Sequence, residues 1–143
     1  MATSFKYMVN PNNLANAGEV SKQLKKELRS KGINQEIIRR ATLAVYEGEI
    51  NMIIHANGGI INVTVDENEI TMELSDNGPG IADIDEAMKS GFSTIDDETI
   101  RSKGFGAGMG FSNMKKYSDE MKVDSQLGLG TTVTMKIRLR EED

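Results

Sequence analysis

Three short segments of this 143-residue chain carry residue types suited to phosphate chemistry, in the order Glu47-x-x-x-Asn51, Asp76-Asn77-Gly78-Pro79-Gly80-Ile81 and Gly104-Phe105-Gly106-Ala107-Gly108-Met109-Gly110. The first sets a carboxylate and a carboxamide one helical turn apart. An amide oxygen suits a hard cation such as Mg²⁺, which keeps several waters and meets a nucleotide through one or two protein groups plus phosphate oxygens. A carboxylate beside it can orient or deprotonate an attacking water or hydroxyl. In the second segment an ionised Asp76 is acceptor-only and pairs well with an exocyclic amine such as that of adenine. Gly80, having no Cβ, lets a flat ligand approach the backbone. In the third, glycines at every second position lead into a helix and offer free N–H groups and a positive helix end to phosphate oxygens. Together these are the parts of an ATP site built without a Walker A loop, and no G-x-x-x-x-G-K-[ST] stretch occurs in the chain.

Each segment also has a plainer reading. Asp-Asn-Gly is a common way to end a strand and start a turn, Glu47 and Asn51 can lie on a solvated stripe, and four glycines in seven residues can form a flexible connector. Periodicity bears on the choice. Ile70, Met72 and Leu74 share one strand parity, Asp76 continues that row, and Val133, Met135, Ile137 and Leu139 form the matching row of a later strand, with Thr131 at its start. A carboxylate on a core-facing row needs a hydrogen-bonding partner. Leu43, Glu47, Asn51 and Ile54 fall on one helical stripe, so two polar residues interrupt an apolar line, as in a cleft wall. Arg101 and Lys103, upstream of the glycines, can reach a terminal phosphate, although basic residues in polar loops are commonly just solvated. His55 is the only histidine and cysteine is absent, which disfavours a transition-metal site. Met52, Met72 and Met135 read as ordinary core filling.

The elements that must hold these residues follow from pattern. Residues 4–9 alternate as a strand ended by Pro11-Asn12-Asn13. Leu14–Lys31 has helical spacing at Val20, Leu24 and Leu28 and is closed by Gly32, and a longer helix runs from about Gln35 to Ala56, capped by Asn34 and ended by Asn57-Gly58-Gly59. Strands at 60–66 and 69–76 form a hairpin. A short helix at 84–89, a polar stretch at 90–108 with few apolar residues, a helix at about Met109–Tyr117, and strands at 120–124 and 131–139 around Gly128-Leu129-Gly130 complete the chain. The expected fold is α/β: a two-layer α/β sandwich, mostly antiparallel mixed sheet, helices on one face. The length suits a single domain over 1–143. A net charge of -5 and a pI near 5.0 disfavour nucleic acid as a partner. No window approaches the roughly 20 apolar residues of a membrane span, and the absence of cysteine is compatible with a reducing cytoplasm.

These segments resemble the Bergerat-fold (GHKL) ATPases shared by gyrase, Hsp90, histidine kinases and MutL: Glu47-x-x-x-Asn51 is similar to their N box, Asp76-x-Gly78-x-Gly80 to the first glycine box, Gly106-x-Gly108-x-Gly110 to the second, and Gly128-x-Gly130-Thr131 to the segment after it. Within that superfamily "YEGEINMIIHA", "DNGPGI" and "GFGAGMGFSNM" resemble the boxes of small bacterial serine/threonine kinases of partner-switching pathways, including anti-sigma factors and the stressosome switch kinase. The resemblance implies ATP and Mg²⁺ as cofactors and Glu47 as catalytic base. It implies Asn51 as the metal ligand, Asp76 as the adenine reader and 90–108 as an ATP lid. It also implies nucleotide contacts from Gly78, Gly80, Ile81, Lys103, Gly104, Gly106, Gly108, Met109, Gly110 and Thr131. The implied substrate is a serine or threonine of a STAS-domain antagonist, a sigma factor is a further partner of the anti-sigma members, and a homodimer is compatible with it. One departure stands out: anti-sigma members tend to carry Arg-Ser before the final G-M-G, where this chain has Gly106-Ala107, which leans toward the switch-kinase branch and leaves Arg101 or Lys103 to supply the charge. The rival readings are a nucleotide-gated anti-sigma binder and a detached histidine-kinase catalytic domain. The second is disfavoured by the lack of a phosphoacceptor helix pair, and gyrase-like or MutL-like readings by the lack of a second domain.

Overall fold

The structure, a computed structural model, describes residues 2–10, 17–56, 58–76, 78, 110–126 and 130–139. Five strands, β1 (Thr3–Val9), β2 (Gly59–Val65), β3 (Glu69–Asp76), β4 (Glu120–Gln126) and β5 (Gly130–Arg138), form one sheet in the order β1-β2-β3-β5-β4. Every pairing among them is antiparallel, so the expected mixed character is not found among the described strands. The helices are α1 (Glu19–Ser30), α2 (Gln35–His55) and α3 (Gly110–Tyr117), and α2 packs between the other two.

One row of each central strand is buried: Ile61, Val63 and Val65 on β2, Ile70, Met72 and Leu74 on β3, Val133, Met135 and Ile137 on β5. These join Val20, Leu24 and Leu28 of α1, Ile38, Ala41, Val45 and Met52 of α2 and Met114 of α3 in a single core. The α/β class and the layer of helices over one sheet face are therefore as expected. Burial of each large apolar side chain contributes about 1.5–3 kcal/mol, and the alternation of strand residues makes the register of the sheet unique.

Helix limits follow from local chemistry. Asn34 Oδ1 accepts from Glu36 N–H at 2.8 Å, capping α2 as expected. Gly32, at φ 73°, closes α1 with paired bonds from Ile33 N–H to Leu28 O and from Gly32 N–H to Arg29 O. The α1 start differs from expectation: Gly18 is the N-cap and helix begins at Glu19, while residues 11–16 lie outside the described residues. The short helix at 84–89, the stretch at 90–108, Asn57 and the turn residues Gly128-Leu129 also lie outside them. In the β2–β3 hairpin, Asp66 Oδ1 accepts from Asn68 N–H at 2.7 Å and Glu69 N–H at 2.8 Å, the expected polar turn.

One close approach positions the site. A Cβ on Gly48 would lie 1.9 Å from Leu74 Cδ2, so α2 crosses β3 closer than any other residue type permits. Glu47 adjoins that contact, and Asn51 lies one helical turn nearer Ala56, which packs against Gly78 just past the end of β3.

Candidate functional site

Asp76 is the last residue of β3, opposite Thr131 of β5. Its Oδ1 accepts from Gly78 N–H at 2.9 Å and from Thr131 N–H at 3.2 Å. The first bond is the turn-forming interaction of an Asp-Asn-Gly; the second reaches across the sheet. Both bonds fall on one oxygen, so the turn-starting role does not occupy the other. Among the described residues Oδ2 accepts nothing and remains an unused anionic acceptor at the end of the inward row. Thr131, 6% exposed, holds its hydroxyl 2.8 Å from Ser125 Oγ of β4, which ties this corner to the sheet edge.

Gly78 is buried, and a Cβ there would lie 2.7 Å from Ala56 Cβ. Its immediate reason for being glycine is thus contact with the end of α2, a role sequence reasoning did not give it. Asp76, Gly78 and Ala56 therefore form one junction between β3 and α2.

Glu47 and Asn51 are both half-buried on α2. Glu47 Oε2 accepts from Asn113 Nδ2 of α3 at 3.2 Å. Burial raises the Glu47 carboxyl above its ordinary value, with the Asn113 bond opposing the shift. Its Oε1 has no partner among the described residues. Fixed by one oxygen, with the other open and made more basic by desolvation, Glu47 has the form of a general base. The Asn51 side chain likewise makes no hydrogen bond among the described residues, which leaves its amide oxygen for a ligand.

Asn113 was missed by sequence reasoning. It is held in place by the end of α3: Arg40 of α2 donates from Nε to Tyr117 O at 2.9 Å and pairs through Nη2 with Asp119 Oδ1 at 3.0 Å. Asp119 Oδ2 in turn accepts from Arg138 N–H at 2.7 Å. Burial pushes the Asp119 carboxyl up, but these donors outweigh it and hold the group below its ordinary value.

The structure thus joins Asp76 to Thr131 across the sheet and Gly78 to the end of α2, while Glu47 and Asn51 lie on α2, Glu47 beside the Gly48–Leu74 contact. The described part of α3 runs from Gly110 to Tyr117, in keeping with the helix expected at about Met109–Tyr117. Gly80, Ile81, Arg101, Lys103, Gly104, Gly106, Gly108 and Met109 lie outside the described residues, as does the His55 side chain. Met52, Met72 and Met135 are core residues at 2%, 0% and 0% exposure. Among the described residues no group of three His, Cys, Asp or Glu side chains could hold a metal, and no helix is long and apolar enough to cross a membrane.

Comparison with known proteins gives the same frame. The chain is 34% identical over 106 residues to an anti-sigma F factor of Clostridium acetobutylicum, covering 71% of this chain and 70% of that one. It is 41% identical over 97 residues to an anti-sigma F factor of Caldanaerobacter subterraneus, covering 64% of each. The match to these relatives thus spans about two thirds of their length. Among solved structures, the fold resembles the RsbU and RsbW domains of a Mycobacterium tuberculosis protein, with TM-score 0.65 and 15% identity over 98% of this chain and 33% of that one. It also resembles the mycobacterial sensor histidine kinase MprB, with TM-score 0.55 and 15% identity over 98% of this chain and 100% of that one. Residues 36–141, which include every described residue of the site, match the family described as histidine kinase-, DNA gyrase B-, and HSP90-like ATPases, and to that family this chain belongs.

Proposed function

We propose that this chain works as one ATP-binding domain over 1–143 and is a protein serine/threonine kinase of a bacterial partner-switching module, transferring phosphate from Mg-ATP to a STAS-domain antagonist. The observation that carries the reading is Asp76, whose Oδ1 is pinned by two backbone N–H groups while Oδ2 is unengaged among the described residues. A pre-fixed anionic acceptor at the end of a buried row selects a flat donor such as the adenine amine without having to be ordered on binding. Thr131 closes the same corner.

Glu47 takes the proton of the attacking hydroxyl on Oε1, while Asn113 holds Oε2 and fixes the direction of attack. Asn51 supplies an amide oxygen to the Mg²⁺. When bound, that ion neutralises charge on the phosphate oxygens and orients them for in-line transfer. By the family resemblance, Gly80, Ile81, Lys103, Gly104, Gly106, Gly108, Met109 and Gly110 would contribute further nucleotide contacts, with Arg101 or Lys103 supplying charge; all but Gly110 lie outside the described residues.

A second reading has a specific observation behind it: the two relatives named above are anti-sigma F factors, although Gly106-Ala107 stands where Arg-Ser is usual in that branch. Here nucleotide would set a conformation that grips a sigma factor. The two are separated by incubating the protein with radiolabelled ATP and a STAS-domain protein encoded nearby, beside a pull-down of sigma factors with ATP and with ADP. Label on a serine or threonine of the STAS protein supports the kinase. No label on any such candidate, with ATP-dependent capture of a sigma factor, overturns it in favour of the binder.

A further inference from the structure

Asn113 holds one oxygen of Glu47 at 3.2 Å, longer than the roughly 2.7–2.9 Å of a strong bond to a charged group, so a small displacement of α3 breaks it. What keeps α3 in place therefore matters to Glu47. The helix has 8 residues, too few to be stable without docking. Met114, 0% exposed, seats it in the core, but apolar burial is non-directional and fixes the depth of a helix better than its rotation or axial position.

Direction comes from Arg40. Arg40 and Glu47 lie at i and i+7 of α2, about 20° short of two full turns and so on one stripe, and Asn113 and Tyr117 lie at i and i+4 of α3. The two helices, running antiparallel, meet at two polar points: Glu47 with Asn113, and Arg40 with the end of α3. At that end Arg40 Nε donates to Tyr117 O at 2.9 Å, one of the last carbonyls of α3, which have no partner within the helix. Nη2 of the same guanidinium pairs with Asp119 Oδ1 at 3.0 Å, the two side chains being 24% and 26% exposed. Asp119 is tied to β5 in turn: its N–H donates to Lys136 O at 2.8 Å and its Oδ2 accepts from Arg138 N–H at 2.7 Å. One guanidinium thus joins α2, the end of α3 and the sheet.

Resting on the kinase reading above, we infer that Arg40 and Asp119 are positioning residues for phosphate transfer: they fix the rotation and axial position of α3 and, through Asn113, hold the Glu47 carboxylate in its working orientation. The charge of Arg40 is not the means. About 10 Å of helix separates it from Glu47, near the Debye length at physiological salt, and the influences on the Glu47 carboxyl are burial first and the Asn113 bond second. The requirement is for a fork. A guanidinium reaches a carbonyl and a carboxylate at once in fixed geometry, whereas the ammonium of a lysine is a point charge on a flexible stem.

The test is a mutant cycle on the full chain with two readouts. Without nucleotide, the Asn113 side-chain amide is followed by NMR, and Arg40→Gln should speed its proton exchange with water at least about threefold. Single-turnover transfer to the STAS-domain substrate should fall about fivefold in Arg40→Gln and nearly as far in Arg40→Lys, with ATP affinity within about twofold of wild type. Asp119→Asn keeps an Oδ1 acceptor and should lose only about twofold. Added to Asn113→Ala, Arg40→Gln should lower transfer by less than about 1.5-fold further, because the group it positions is gone. Should Arg40→Gln not fold, Arg40→Lys carries the same cycle. An equal loss from the Arg40 substitution with and without Asn113, or an Asn113 amide that does not respond to it, overturns the positioning role while wild-type transfer upholds the kinase. No transfer by wild type to any STAS-domain candidate is a different result, which overturns the kinase reading and this role with it.

Discussion

Under the proposed function, replacing Asp76 by asparagine separates the fold from recognition of the base, because that proposal gives the two carboxylate oxygens different jobs. Oδ1 accepts from Gly78 and Thr131 N–H, and an asparagine carbonyl can keep both bonds, losing only their charge-assisted part, about 0.5–1 kcal/mol. The amide nitrogen then replaces Oδ2 and aims a donor at the adenine amine. A buried mispaired donor costs about 2–4 kcal/mol, so ATP affinity should fall about 30- to 700-fold. Asp76→Ala is the informative contrast. It strands both backbone donors and should lower stability by about 2–4 kcal/mol, confounding binding with folding. Calorimetric titration with ATP, beside urea unfolding of both variants, reads the two quantities separately. A folded Asp76→Asn protein that binds ATP within about threefold of wild type would remove Asp76 from the nucleotide site and leave it a turn residue.

Other consequences follow from the same geometry. In Gly48→Ala, the new Cβ would meet Leu74 Cδ2 in a core where Leu74 is 2% exposed; the overpacking, about 1–3 kcal/mol, should exceed the roughly 1 kcal/mol gain in helix propensity and lower the urea midpoint. Asn113→Ala frees Glu47 Oε2 and should lower the phosphate-transfer rate roughly tenfold with ATP affinity unchanged, as measured by single-turnover kinetics. Burial raises the Glu47 carboxyl, so the folded state binds its proton more tightly than the unfolded one, and the ionised group costs stability above that window. Glu47→Gln should therefore be the more stable protein at pH 7, and its advantage should shrink as pH falls through the raised value toward the ordinary 4.5. Thermal melts across that range check the sign.

What the sequence made legible was local or periodic. Asp76 and Thr131 extend rows whose parity is set by Ile70, Met72 and Leu74 and by Val133, Met135 and Ile137, and cross-strand register places them opposite each other. Glu47 and Asn51 share a stripe by helical arithmetic. Asn113 was not legible, because its bond to Glu47 spans 66 residues and depends on how Arg40 anchors the end of α3. Glu49 carried a usable signal that was passed over: it falls between Val45 and Ile53, both buried, on the core side of α2, where a glutamate calls for a partner, and Val20 N–H supplies one. Gly48 carried another, since a glycine inside a helix costs about 1 kcal/mol relative to alanine and marks a close approach. The start of α1 was misplaced because Val20, Leu24 and Leu28 define a helical face but not its first turn, which depends on a cap supplied from α2.

The central claim, that Glu47 is a base acting beside a metal-binding Asn51, is tested most directly by measuring ATP affinity and phosphate transfer in the same Glu47→Ala preparation. A base acts only in the transition state, so affinity should stay within a few-fold of wild type while transfer to the STAS-domain substrate falls by roughly 10²–10⁴. Asn51→Ala, run alongside, should weaken Mg-ATP itself. Transfer by Glu47→Ala at the wild-type rate, or loss of ATP binding in step with loss of transfer, would contradict the account.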